Sequence, residues 1–295
     1  MTQSQPLRAA AWMVGAVVSF SGMAVAGREL SSELDTFEVM LYRSLIGVVV
    51  VLAVARAAGT LGQVSRRSLG IHTIRNLSHF TGQNLWFYAV ATIPLAQVFA
   101  FEFSQPIWVA LAAPFLLAER MTRTRLLAAG LGFAGILIVA QPGAAPITAG
   151  TVAAMLSAFG FAGSALATKF LTRTETVTCI LFWLTVMQSV LGLVCAGYDG
   201  DIALPSTGNL PWVAVVALGG LLAHFCLTTA LSLAPAAVVM PLDFARLPLV
   251  AVLAMLLYAE ALDPLVFLGA AVIFGANYLN ILTETRAARR AGIPR

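Results

Sequence analysis

Apolar runs long enough to cross a bilayer recur ten times along this chain. A helix that spans the hydrocarbon core needs about 20 mostly apolar residues. The runs lie near residues 9–28, 36–56, 69–91, 94–117, 123–141, 147–168, 176–197, 209–231, 235–258 and 263–283. Across the 295 residues, 60% are hydrophobic and only 10% are charged, where an ordinary soluble domain carries roughly 25% charge. One soluble core cannot hide that much apolar side chain and still present a polar exterior. A soluble globular domain is therefore excluded, and so is a disordered chain. The basic excess, 17 Lys and Arg against 13 Asp and Glu, is too small for the dense basic face that nucleic-acid binding requires. The expected fold is an all-α membrane protein of ten transmembrane helices, with the lipid bilayer as its surroundings.

Punctuation supports the segmentation. Asn209 before Pro211, and Asp263 before Pro264, read as helix starts. The basic residues set an orientation. Arg8 precedes the first span. Arg56, Arg66 and Arg67 follow the second, Arg120, Arg123 and Arg125 the fourth, and Lys169 and Arg173 the sixth. Arg286, Arg289, Arg290 and Arg295 follow the tenth. The alternate loops carry acids instead: Glu29, Glu33, Asp35 and Glu38 around Arg28, then Asp199 and Asp201, then Glu260 and Asp263. This alternation places both termini in the cytoplasm. Arg8, an apolar stretch and Ala24-Val25-Ala26 also mimic a secretory signal. An internal counterpart of the same segment argues that it is retained.

That counterpart appears when the sequence is offset by 141 residues. Pro94 then falls on Pro235, Phe103 on Phe244, Glu119 on Glu260, Phe20 on Phe161, Gly22 on Gly163 and Leu30 on Leu171. Arg28 meets Lys169, and Glu102 meets Asp243. Two five-helix repeats follow, at 9–141 and 147–284, between a short cytoplasmic tail (1–8) and a basic one (285–295). Five is odd, so the second copy enters the membrane from the opposite side. Inverted-topology repeats are the architecture of secondary transporters, with the substrate near the midplane between the copies.

In each half a helix with a central proline is followed by a glutamate and a glycine-rich last helix. The first half reads Pro94-Leu-Ala, Phe103-Ser-Gln-Pro106, Glu119, then Gly130, Gly132 and Gly135. The second reads Pro235-Ala-Ala, Asp243-Phe-Ala-Arg246-Leu-Pro248, Glu260, then Gly269 and Gly275. With Arg43 early in the second helix, this pattern resembles the drug/metabolite transporter superfamily, and within it the EamA branch. The second half departs from the pattern: Leu184 stands opposite Arg43, and its central proline is shifted by one residue. The resemblance implies a bacterial-type inner-membrane transporter of a small molecule, without a cofactor. It also implies that spans 5 and 10 are peripheral and can join two protomers as a homodimer.

Charge inside a bilayer costs from about 2.5 kcal/mol per residue at the centre, so each such residue is a functional candidate. Arg43, Glu102, Asp243 and Arg246 are of this kind, with His79 and His224. Glu102 lies a third of the way along span 4, and inverted symmetry brings it and Asp243 toward one cavity. Asp243 and Arg246 are three residues apart and can pair on one helix face. Glu102 must face water, be protonated, or pair across helices with Arg43 or Arg246. Span 3 carries Asn76, His79 and Gln83 on one face, continued by Trp86, with Arg75 at the cytoplasmic end. Such a stripe has to look at a cavity or a partner helix. Gln105 beside Pro106 completes the candidate substrate-binding set. Phe20, Trp86, Trp108, Phe161 and Trp183 can stack an organic ring. The spacing of His79, His224 and the cysteines Cys179, Cys195 and Cys226 offers no HExxH or CxxC pattern, so no metal site is expected.

Two arginines against two acids sum to zero, which suits a zwitterion such as an amino acid or another aminated compound, with Glu102 as the group for proton coupling. Relatives on this fold carry S-adenosylmethionine, riboflavin or cationic drugs, and these are the alternatives. An intramembrane enzyme lacks its motifs here, GxSxG and HExxH, and an ATP-driven pump its P-loop. A channel builds a continuous polar pore, which fits a few central polar groups on inverted repeats less well.

Overall fold

The computed structural model describes residues 6–117, 123–141, 146–171, 173–233, 242–243 and 245–290. Glu119, Arg120, Pro235, Phe244, Arg295 and the Lys169 side chain, all used above, lie outside the described residues. The chain is helical: α1 (Pro6–Leu30), α2 (Thr36–Ala57), α3 (Leu69–Thr92), α4 (Leu95–Glu102), α5 (Gln105–Leu117), α6 (Arg123–Ala140), α7 (Ala149–Leu171), α8 (Val177–Ala196), α9 (Leu210–Leu233), α10 (Arg246–Tyr258) and α11 (Pro264–Arg290). At 1.5 Å per residue, the 24 residues of α3 reach about 36 Å, enough to cross a bilayer. Five of the described helices are both long and apolar enough to cross a membrane. Their outward side chains are large and apolar, among them Val49, Val54, Val194 and Phe225, and the shorter α6 and α10 add Leu127 and Leu256. Exposed apolar area on that scale marks a surface that meets lipid.

Helix starts follow local chemistry. Asp35 and Glu38 form a reciprocal capping box at the head of α2, each side chain accepting from the other's backbone N–H at 2.8 Å. Thr176 caps α8 by accepting from the Cys179 N–H at 3.3 Å. Asp263 accepts from the Leu265 N–H at 2.8 Å and opens α11 where the Asp-Pro pair marks it.

Span 4 departs from the single helix expected over 94–117. It is broken between α4 and α5 at Phe103–Ser104. Pro106 has no N–H for the Glu102 carbonyl, and its ring crowds that carbonyl. The Ile107 N–H turns back to Ser104 O at 2.9 Å in place of the Phe103 carbonyl. Asn277 of α11, buried at 6% exposure, donates to it at 2.9 Å. Pro248 sits in the first turn of α10, where a missing N–H costs nothing.

The two repeats interlock. The closest helix pairs are α3 with α7, α1 with α9, α6 with α11 and α2 with α8. Each joins one repeat to the other. The first two pairs exchange under the repeat symmetry, and the last two map onto themselves. Small residues set the approach. A Cβ on Gly160 of α7 would stand 2.6 Å from the Gly82 Cα of α3, and one on Gly135 of α6 would stand 2.8 Å from the Gly269 carbonyl of α11. Without a hydrophobic drive between helices in lipid, such close backbones are what holds a bundle together.

Candidate substrate site

Two polar clusters meet at Phe20, near the middle of α1. The first gathers on Arg246, at the start of α10. Its guanidinium donates to Asp243 Oδ2 at 2.5 Å and to Glu102 Oε1 at 3.2 Å. The other Glu102 oxygen accepts from Trp86 Nε1 at 2.8 Å. Three rings close around the cation: Phe20 at 4.8 Å, Phe103 at 5.3 Å and Phe99 at 5.4 Å from the guanidinium carbon to the ring centroid. Arg246 and Asp243 are 5% and 7% exposed. The helix break is what makes the cluster, since Glu102 is the last residue of α4. Arg246 Nε and Asp243 Oδ1 remain without a hydrogen-bond partner. A donor and an acceptor thus stand unused in one buried spot.

The second cluster lies among α2, α8 and α9. Arg43, Ser44, Thr185, Gln188, Gly220 and His224 line a cavity of about 30 Å³, room for about one water. The Arg43 guanidinium packs against Gly220, where a Cβ would stand 3.2 Å from Nε. Its recorded polar contact is Met40 Sδ at 3.5 Å, and it has no carboxylate partner among the described residues. Gln188 also reaches His79 Nδ1 at 2.9 Å, which ties the polar face of α3 to this cavity. His224 lays its ring edge-on against Phe20 at 5.3 Å, and His79 does the same to Phe161 at 6.0 Å.

Of the sequence candidates, Trp86, Glu102, Asp243 and Arg246 form one group, and Arg43, His79 and His224 are gathered through Gln188. The repeat mates Glu102 and Asp243 converge, through their shared arginine. Others stand apart. Asn76 spends its amide on His72 O at 2.8 Å and on α8. Gln105 makes one long contact to Phe161 O at 3.4 Å. Gln83 is 4% exposed and makes no hydrogen bond among the described residues. Arg75, expected at the cytoplasmic end of its helix, is 8% exposed and donates to Thr168 Oγ1 at 2.9 Å.

Sequence reasoning missed Gln188, whose signal was an amide in an apolar helix. It also missed the role of Glu260, which appeared only as a repeat match. Arg28 is not left among loop acids. It pairs with Glu260 of the other repeat and donates to the Val90 carbonyl at 2.6 Å and to that of Ile93, while Glu260 accepts from the Leu95 N–H at 2.9 Å. This clasp ties the ends of α1, α3 and α10 together. At the opposite face the loop before α3 is tied to α8. Trp183 Nε1 donates to Ser65 O at 2.7 Å, and Ser65 Oγ donates to Glu175 at 2.7 Å. The hydrogen bond from Ser65, followed by one from Ser68, holds the Glu175 carboxyl below its usual range.

Comparison with known proteins agrees with this architecture. A solved crystal structure, 19% identical, superposes with a TM-score of 0.65 over 95% of this chain and 98% of its own. A riboflavin transporter of Brucella anthropi is 28% identical over 287 residues, covering 95% of this chain and 100% of the relative. A second riboflavin transporter, from Rhizobium johnstonii, is 32% identical over 74% of this chain and 72% of its own length. An S-adenosylmethionine uptake transporter of Rickettsia felis is 25% identical over 95% of this chain and 94% of the relative. The profile of the EamA-like transporter family matches twice, at 7–141 and 148–282, the two halves that the 141-residue offset and the interlocked helices define. The chain belongs to the EamA-like transporter family, as a multi-pass membrane transporter of a small metabolite.

Proposed function

We propose that this transporter carries a neutral, planar heteroaromatic metabolite of the riboflavin class by alternating access. The observation that carries this reading is the charge inside the spans. Arg43 and Arg75 have no carboxylate among the described residues, while both acids, Glu102 and Asp243, are committed to Arg246. Counted this way the interior holds three arginines against two acids, not the balance that pointed to a zwitterion. An amine would find no uncommitted carboxylate, and a sulfonium cation would meet an excess of positive charge. A neutral ring system rich in carbonyl and hydroxyl acceptors suits Arg43, Gln188 and the histidines. The unused Arg246 Nε and Asp243 Oδ1 match the acceptor and donor of a cyclic imide edge. Phe20, Phe99, Phe103 and Trp86 supply apolar faces for the ring. Riboflavin transporters among the relatives support the same class.

Glu102 is the coupling group in this scheme: it takes a proton when Arg246 turns toward the substrate. The clasps at Arg28 and at Ser65 both cross the repeats and open in turn. Basic residues on the Ser65 face, with acids on the Arg28 face, support an orientation with both termini in the cytoplasm. The test is uptake of radiolabelled riboflavin and of S-adenosylmethionine by proteoliposomes holding the purified chain. Riboflavin should accumulate and S-adenosylmethionine should not. Movement of S-adenosylmethionine, or of an amino acid in its place, would overturn the assignment.

A further inference from the structure

We infer that the Ser65 face carries a binding site for a divalent transition-metal ion of the Zn²⁺ class, held by His72, Glu175 and Cys179. His72 stands in the first turn of α3 in the first repeat, and Glu175 and Cys179, four residues apart, stand just before and in the first turn of α8 in the second. One potential ligand atom from each lies within 4.8 Å of the others. His72 Nε2 stands 3.9 Å from Cys179 Sγ. In a tetrahedral zinc site with Zn–S about 2.3 Å and Zn–N about 2.0–2.1 Å, the two donors would be about 3.5 Å apart. A contraction of a few tenths of an ångström closes that side, and a turn of the Glu175 carboxylate closes the other.

The donor set is imidazole, thiolate and carboxylate. This mixed, borderline-soft set selects zinc-like ions over magnesium or calcium, which prefer oxygen alone. Burial adds the second argument. His72 and Cys179 are fully buried, and the Glu175 Oε1 atom beside them, itself shielded from solvent, has no hydrogen-bond partner. Unsatisfied polar atoms in a buried spot are uncommon and call for an occupant or a cost. The neighbours already hold the thiol in place: Ser65 N–H donates to Sγ at 3.4 Å, Sγ lies 3.7 Å from Ser65 O, and the Trp183 ring lies beside His72 at 6.3 Å. Three protein ligands leave a fourth position for water, as in zinc sites that are not purely structural. No motif announced the site, because 103 residues separate His72 from Glu175.

Position gives the ion a consequence. It would bridge α3 of the first repeat to α8 of the second, across the contact that has to part when this face opens. Binding would therefore hold this face shut, independently of which metabolite is carried.

The full chain, purified in detergent with any polyhistidine tag removed, should bind one equivalent of Co²⁺ and show a thiolate-to-cobalt charge-transfer absorption in the near ultraviolet. Zn²⁺ should displace the cobalt and raise the unfolding temperature of the wild-type chain. Cys179→Ser should abolish the charge-transfer band, and His72→Gln should weaken binding by at least about tenfold. Cys195→Ser and Cys226→Ser should leave both signals intact. Absence of the band in the wild-type chain would overturn the proposal without recourse to any variant. Its persistence in Cys179→Ser would overturn it too.

Discussion

Arg246 shows why buried charge is readable one residue at a time. It answers two carboxylates and three aromatic rings, and the cost of charge in an apolar span is what marks such a residue for attention. Glu102 and Asp243 were legible for the same reason. Asn277 was not, because one amide in a helix is cheap until the fold brings a carbonyl to it. Replacing Asn277 by Val should remove the buried hydrogen bond to the Phe103 carbonyl. It should cost about 1–3 kcal/mol, seen as a lower midpoint in thermal unfolding of the detergent-solubilised protein. Glu102→Gln keeps an oxygen for Trp86 but has no charge to give up. Uptake by that variant should lose its pH dependence while binding of the metabolite persists. A pH profile that still follows the wild type would remove Glu102 from coupling.

At the scale of elements, length and apolar character placed the helices well, but proline placed the break only in part. Pro106 signals a kink, and the helix gives way two residues earlier, because the lost bond and the crowding fall on the preceding turn. The glycines carry a different message. Gly135 and Gly269, flagged as able to bring helices together, meet each other within one chain. Gly82 and Gly160 do the same for α3 and α7, and nothing in their local sequence singles them out. Gly160→Val should force α3 and α7 apart, since backbone lies opposite. Overpacking of this kind costs about 1–3 kcal/mol or more. The variant should elute early or broadly in size-exclusion chromatography, whereas Gly130→Ala, which faces open space, should behave as wild type.

For the whole molecule, function depends on contacts between repeats. Removing the clasp with Arg28→Ala should favour the state open at that face. Cysteines introduced behind it should react faster with a membrane-impermeant maleimide, and an unchanged rate would deny the clasp a gating role. Glu33 bridges the repeats as well. It accepts from Ser206 N–H at 2.5 Å, from the Ser206 hydroxyl at 2.9 Å and from the Asn209 amide. These bonds, led by that from Asn209, hold its carboxyl below the ordinary value near 4.5. A lowered folded value means that the contribution is complete above that ordinary value and fades as pH falls through the lowered one. The stability gap between wild type and Glu33→Gln should therefore narrow below about pH 4.5 in a thermal-unfolding series.

The sequence by itself determined the membrane class, the ten spans and the inverted repeat. Hydropathy and a fixed offset are properties of the chain read in one dimension, and the bilayer enforces them on each helix separately. Only the tertiary structure decided the partners: Arg28 with Glu260 across 232 residues, Glu102 with Arg246 across 144, and His72 beside Cys179 across 107. In lipid an apolar face is equally content against a neighbouring helix or an acyl chain. Partner choice therefore falls to close backbone approach and to the few polar groups that must be satisfied, and both exist only once the helices are assembled.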